Sequence, residues 1–215
     1  MIQREEQIGD CRLILGDSME VLPGIGPIDA VVTDPPYGIG SKMVGSGHFA
    51  GMCIKMGDWD KAAPPPEIFL RDCPAIVWGG NYIGLPPSRG WLVWRKTNAA
   101  PSFADAELAW TNMDMNIKTW LGPVGPGISD RVNHPTQKPL PLMVWCLGFL
   151  PNARTILDPF MGSGTTLVAC AKLGRAGIGI ERDPDYFDIA CRRVEAAYGA
   201  RTRFVSETEA QGVLL

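Results

Sequence analysis

The sequence predicts an α/β fold built on a mostly parallel sheet. Two observations carry the prediction. The strongest runs, such as "IDAVVTD" (28–34) and "AIVWGGN" (75–81), are apolar throughout and do not alternate, as strands covered on both faces do. Among these runs lie segments with helical start and stop signals, the alternation expected of α/β units. The 215 residues suit a single domain, 1–215, and a content of 46% apolar and 20% charged residues supplies a core of ordinary size.

Each element follows in order. The N-terminal "MIQREEQIGD" is polar and shows no leader signal. "CRLILGD" (11–17) reads as a short strand, and "SMEVLPG" as one or two helical turns ended by Pro23 and Gly24. "IDAVVTD" is a buried strand that ends on Asp34 and runs into "PPYG". Residues 38–63 hold many glycines without a steady period and read as a long loop, a length at which loops tend to be functional. "PPPEIFLRDC" (64–73) opens on prolines and becomes a short helix, and "AIVWGGN" is a strand with a glycine turn after it. "GWLVWRKTN" (90–98) and "AELAWTN" (106–112) are strands, and 113–139 reads mostly as loop.

"LPLMVWCLGFL" (140–150) is an apolar helix. "ARTILD" (153–158) is a strand, "PFMGSG" a turn, and "TTLVACAKLG" (165–174) a helix stopped by Gly174. "RAGIGIE" (175–181) is a strand. "DPDYFDIACRRVEAAYG" (183–199) is a helix with Asp183 as N-cap, Pro184 at the first position and Gly199 as stop. The remainder reads as a frayed tail or weak edge strand.

Net charge of −3 argues against a protein that coats nucleic acid non-specifically, while Arg89, Arg95, Lys96, Arg131 and Lys138 leave room for a local basic groove. The six cysteines form no CxxC pair and there are only two histidines, so neither a metal site nor a disulfide framework is expected and a reducing cytoplasm is. No apolar stretch is long enough to span a membrane.

"TILDPFMGSGTTLVACAKLG" sets a strand, an acid, a glycine turn and a helix in succession. In open α/β sheets, ligands bind beyond the carboxyl ends of such strands. Gly162 and Gly164 let backbone approach a ligand, and the first amides of the helix can meet an anion. The string is neither GxxxxGK[ST] nor GxGxxG. The next strand ends on Glu181, where an acid can accept both hydroxyls of a ribose. A nucleoside-bearing cofactor is the expectation.

Three strings, "TDPPYG" (33–38), "HPTQKP" (134–139) and "LDPFMGSGTT" (157–166), together resemble the DNA amino-methyltransferases. Their order, with DPPY ahead of the glycine turn, resembles the circularly permuted β group of that family, over roughly residues 9–195. The resemblance implies a Rossmann-like methyltransferase fold with helices on both faces, S-adenosylmethionine as cofactor, double-stranded DNA as partner, a homodimer and no metal. It places the chain in the cytoplasm of a bacterial or phage-infected cell. The DPPY spelling favours N6 of adenine, SPPY leans to N4 of cytosine, and NPPY relatives that act on RNA or protein glutamine usually have the other order. A silent DNA- or partner-binding copy is the non-enzymatic alternative.

The implied chemistry explains DPPY. An exocyclic amine is a poor nucleophile because its lone pair is delocalised into the ring. Acceptors fixed at the Asp34 carboxylate and Pro35 carbonyl turn that lone pair toward the methyl donor, Pro36 adds rigidity without an N–H, and Tyr37 offers a face for stacking. The base must first leave the duplex. The resemblance gives Asp17 the cofactor's adenine amine, and Asp34, Asp158, Pro159, Phe160, Gly162, Ser163, Gly164 and Thr165 the wall around the cofactor. Glu181 takes the ribose. His134, Thr136, Gln137 and Lys138 form a loop over the methionine end, whose lysine and amide can meet the carboxylate. Lys42, Arg95, Lys96 and Arg131 are candidates for DNA phosphate contacts. Larger relatives carry a separate target-recognition segment. Here about twenty residues near 113–132 fill that slot, so Met43, His48, Lys55, Trp59 and Lys61 of the 38–63 loop are further candidates for reading DNA.

Overall fold

The computed structural model describes residues 1–39, 60, 62–99, 104–124 and 137–210, with side chains to residue 200. Strands β1 (Arg4–Ile8), β2 (Cys11–Leu15), β3 (Ala30–Thr33), β4 (Ala75–Trp78), β5 (Trp91–Lys96), β6 (Ala106–Thr111), β7 (Lys118–Gly122), β8 (Thr155–Asp158) and β9 (Ala176–Glu181) form one sheet in the order β1-β2-β9-β8-β3-β4-β6-β5-β7. β2, β9, β8, β3 and β4 are mutually parallel, so their carboxyl ends share one edge of the sheet. β1 closes one side antiparallel to β2. On the other side β6 runs antiparallel to β4 and β5, while β7 runs parallel to β5.

The apolar strands are buried on both faces, as their unbroken runs required. From β2, β3 and β4, residues Leu13, Val32 and Ile76 face one core, and Ile14, Val31 and Val77 face the other. The first core is covered by α2 (Leu140–Leu147), α3 (Thr165–Leu173) and α4 (Pro184–Ala210), the last through Phe187, Ala190 and Val194. Among the described residues the second is covered by the four-residue α1 (Ser18–Val21) and the 3-10 turns Leu22–Gly24 and Pro66–Phe69.

Three expectations change. "REEQI" is a strand despite its polarity, because an edge strand needs only backbone pairing with β2 and leaves its side chains in water. "KTWLG", read as loop, is the parallel edge strand β7, so the slot near 113–132 is partly sheet. Gly199 does not end the last helix, which runs on to Ala210 in place of a tail or strand. A mid-helix glycine costs only about 1 kcal/mol relative to alanine, too little to stop an otherwise helical run.

Residues 40–59 and 61, almost all of the 38–63 loop, lie outside the described residues, as do 125–136. The two ends of that loop do meet. Asp60, 3% exposed, accepts hydrogen bonds from the Gly38 and Ile39 amides at 2.6 and 3.3 Å. Gly38 (φ 72°) lies so close to Ala63 that a Cβ there would stand 2.8 Å from its nitrogen. Among the described residues no helix is long and apolar enough to cross a membrane, no side-chain cluster suits a metal ion, and the five cysteines are unpaired.

Candidate active site

The acids named by the sequence line up along the carboxyl edge of the sheet: Asp17 after β2, Glu181 at the tip of β9, Asp158 at the tip of β8 and Asp34 after β3. Chain direction changes between β8 and β3. From β8 the chain proceeds to β9 on one side, and from β3 to β4 on the other. Ligands of open sheets sit at such a point.

The glycine turn is tightly built. Gly162 and Gly164 take φ of 50° and 79°, conformations that L side chains rarely adopt, and a Cβ on Gly164 would come within 2.8 Å of Ala190. Gly164 also starts α3 without a side-chain cap, which leaves the first-turn amides of Thr165 and Thr166 facing the edge. Met161 N bonds to Ile180 O at 3.0 Å and Gly162 N to Glu181 Oε2 at 2.9 Å, so the turn is laced to β9. Arg193 of α4 holds the turn from behind, donating to Ser163 O, Ser163 Oγ and Thr165 Oγ1 at 2.6, 3.1 and 3.1 Å.

Asp158, expected in the cofactor wall, is a clamp. It is 2% exposed and accepts from Thr33 Oγ1 at 2.7 Å, Phe160 N at 3.1 Å and Thr166 Oγ1 at 2.6 Å. It thereby fastens β3, one residue ahead of Asp34, to the start of α3. Burial pushes its carboxyl up to about 6, against the pull of the two threonine hydroxyls. Burial likewise raises Glu181 to about 7, although the amides of Asp183, Arg182 and Gly162 favour its charge. Asp17 N-caps α1, accepting from Met19 N at 2.8 Å. Gly16 N bonds to Glu181 O at 2.8 Å, and Ser18 Oγ donates to Pro159 O, so Asp17, Glu181 and the glycine turn form one group.

DPPY forms the second group. Tyr37 Oη donates to Asp34 Oδ1 at 2.6 Å, and Lys138 Nζ donates to Asp34 Oδ2 at 2.6 Å and to Tyr37 Oη at 3.1 Å. The Tyr37 ring needs Gly79 (φ 67°), where a Cβ would fall 2.0 Å from its Cε1. Tyr82, 49% exposed, stacks on it with centroids 5.2 Å apart and planes 18° from parallel. Burial raises the Tyr37 phenol well above its ordinary range, reinforced by Asp34 and Glu107, so it stays protonated.

Lys138 departs from expectation. Two of its N–H groups donate to Asp34 and Tyr37, and the ammonium is ion-paired with Glu107 Oε2 3.0 Å away, so its charge is held at DPPY rather than offered to a cofactor carboxylate. Lys96, expected on DNA phosphate, is also turned inward: its side chain is 7% exposed and its Nζ lies 2.7 Å from Glu107 Oε1. An ammonium held this way is not offered to a phosphate. Arg95 is exposed and remains so placed that it can meet one. Pro35 is buried, Phe160 tilts against Phe69, and Gln137 is buried beside Lys138. Lys42, Arg131, His134 and Thr136 lie outside the described residues, as do Met43, His48, Lys55, Trp59 and Lys61.

The sequence reading missed Glu107, Tyr82, Asp60, Thr33, Thr166 and Arg193. Only Glu107 left a signal, as an acid inside the apolar strand "AELAW". A cleft of about 310 Å³ lined by Pro86, Ser88, Trp110 and Asn112 lies at the opposite end of β6 from Glu107 and takes no part in this arrangement.

Residues 112–192 match the profile of a DNA methylase family. The chain is 26% identical to the Type II methyltransferase M2.DpnII of Streptococcus pneumoniae, with 86% of this chain and 89% of that protein aligned. It is 35% identical over 140 residues to the Type II methyltransferase M2.MboI of Moraxella bovis, which covers 63% of this chain and about half, 47%, of that protein. Among solved structures it resembles the M1.HpyAVI–SAM complex (TM-score 0.56, 22% identity, 86% of this chain and 99% of that one). It also resembles PvuII DNA methyltransferase, described as cytosine-N4-specific (TM-score 0.55, 14% identity, 93% and 95%). At these identities the two structures speak to the fold.

Proposed function

We propose that the chain is a DNA amino-methyltransferase that methylates the exocyclic N6 of adenine in double-stranded DNA, using S-adenosylmethionine. The observation that carries this is a juxtaposition: the glycine turn after β8 stands beside Asp34-Pro35-Pro36-Tyr37 after β3, clamped to it by the Thr33–Asp158–Thr166 hydrogen bonds.

The residues suit the cofactor. Its ribose hydroxyls are donors, and Glu181 is a half-buried acceptor at the strand tip beside the turn. Its adenine amine is a donor, and Asp17 has an oxygen beyond the one that caps α1. Gly162 and Gly164 give the close backbone approach. When bound, the cofactor supplies an electrophilic methyl group on a sulfonium and leaves as a thioether.

The protein's part is to prepare the amine. Asp34 and the Pro35 carbonyl accept its two N–H groups and draw the lone pair out of the ring plane. Each Asp34 oxygen keeps a lone pair beyond its bond to Tyr37 or Lys138, so the amine enters without breaking either. As the N–C bond forms and the C–S bond breaks, nitrogen carries one proton too many, and Asp34 is the base hydrogen-bonded to it. Tyr82 lies where a flipped base would stack on Tyr37, and being half exposed it can give way.

The order of DPPY and glycine turn is read as a circular permutation of the methyltransferase fold, and the chain as one catalytic domain with a reduced target-recognition segment. A second copy of the chain would add DNA-binding surface. The test is transfer of a labelled methyl group from S-adenosylmethionine to unmethylated plasmid DNA, followed by digestion to nucleosides and mass spectrometry. N6-methyladenine is expected. N4-methylcytosine, or label entering only RNA or protein, would overturn the assignment.

A further inference from the structure

We propose that Lys138, backed by Glu107, is a positioning residue for methyl transfer that keeps the Asp34 carboxylate ionised and aimed at the amine, and that it does not bind the cofactor's carboxylate. The inference rests on Asp34 being the amine's acceptor. Four charges of alternating sign run through the interior: Lys96 on β5, Glu107 on β6, Lys138 just ahead of α2 and Asp34 after β3. Successive separations are 2.7, 3.0 and 2.6 Å. Lys138 is 6% exposed and lies 5.7 Å from the ring centroid of the fully buried Trp78, so it has no route to water without leaving the chain of charges.

Stability alone is a weak reason for such a chain, since buried ion pairs are often replaceable by apolar side chains at no loss. An apolar side chain, however, cannot hold a carboxylate in its charged form. Asp34 must be charged to take the amine's proton, and its burial works against that. Lys138 opposes the burial from one oxygen and orients the Tyr37 hydroxyl on the other. Glu107 in turn holds the ammonium in place as its ion-pair partner, with Lys96 compensating Glu107.

The charged and titratable groups around Asp34 act in known directions. Lys138 lowers its pKa and Glu107 raises it, while burial is the largest influence and raises it. Tyr37 stays protonated, with Tyr82 beyond its ring. Asp158 at the tip of β8 and Asp34 repel one another. Cys146 of α2 faces Lys138 as a neutral thiol.

The experiment is the pH profile of kcat for methyl transfer to unmethylated plasmid DNA at saturating cofactor, with calorimetric titration of cofactor binding on the same full-length proteins. In Lys138→Met the acid limb should move up by about 1–3 pH units. At pH values below the shifted limb its kcat should fall by about tenfold for each unit of that shift. Cofactor affinity should stay within about threefold of wild type, a change under 1 kcal/mol. Glu107→Gln should move the limb the opposite way, to lower pH, because an anion facing Lys138 is gone. Lys138→Arg should return the limb toward its wild-type position. These three variants carry the test together, so a misfolded Lys138→Met leaves the other two to decide. A limb that stays put while cofactor affinity collapses would overturn the inference in favour of a carboxylate contact. A limb unmoved in Glu107→Gln, and in Lys138→Met where that variant folds, would overturn it in favour of a structural role. A wild-type protein that methylates no DNA would defeat the reading of Asp34 and this inference with it. An active wild type with unmoved limbs defeats the inference alone.

Discussion

Asp158, buried, and Glu181, half-buried, are both carboxyls at strand tips, yet their neighbours assign them different tasks. Glu181 meets backbone amides and has lone pairs to spare toward the open edge, whereas Asp158 is enclosed by two threonines and an amide. On the proposed reading ribose hydroxyls would donate to the ionised form of Glu181, and its carboxyl is raised to about 7. Cofactor affinity should therefore weaken below about pH 7, approaching tenfold per unit, and Glu181→Gln should flatten that dependence in calorimetric titrations. The folding contribution has the opposite sense. Both carboxyls sit above their ordinary values, so the native chain holds these protons more tightly than the unfolded chain. Their stabilisation is complete at acid pH and fades as pH rises through about 6 for Asp158 and about 7 for Glu181. At the reacting centre, Asp34→Ala should lower methyl transfer by about 10²–10³-fold, the usual cost of losing one preorganised polar group, while cofactor still binds.

Among elements, the β8–turn–α3 unit and the β3–DPPY corner were legible because their signals are local. Strand, acid, two glycines and helix stand in one run of sequence, and the rigid Asp-Pro-Pro-Tyr corner is equally compact. What was not legible depends on distant partners. Glu107 and Lys138 are thirty-one positions apart, and only the β4–β6 pairing and the start of α2 bring them to Asp34. The edge strands β1 and β7 escaped notice because they pair through backbone and keep polar side chains exposed, so no hydrophobic period marks them. Two substitutions test the close approaches that were found. Gly164→Ala sets a Cβ 2.8 Å from Ala190 at a left-handed φ, and should cost about 1–3 kcal/mol in urea unfolding and weaken cofactor binding. Gly79→Ala drives a Cβ into the Tyr37 ring and should reduce kcat with cofactor affinity kept, as read by steady-state kinetics and titration.

For the molecule as a whole, charge accounts for how DNA is met. The net charge is −3, and two lysines that looked available are spent inside the fold on Glu107 and Asp34. On the proposed reading Arg95, Lys42 and Arg131 are the contacts to phosphate. The salt dependence of DNA binding should be shallow, with a logarithmic slope of about −3 for three contacts, and Arg95→Ala should reduce it by about 1 in filter-binding titrations. The sheet divides the labour: its β2–β9–β8 side carries the cofactor group, and its β3–β4–β6 side carries the acceptor group with the charges behind it. The central claim is that these two groups together methylate adenine. It is tested most directly by producing the wild-type protein and Asp34→Ala in a bacterial host without methylases and sequencing the host DNA by a single-molecule method that detects modified bases. The account predicts methylated adenine from the wild type and none from Asp34→Ala. Equal modification by both proteins, or modification of cytosine alone, would contradict it.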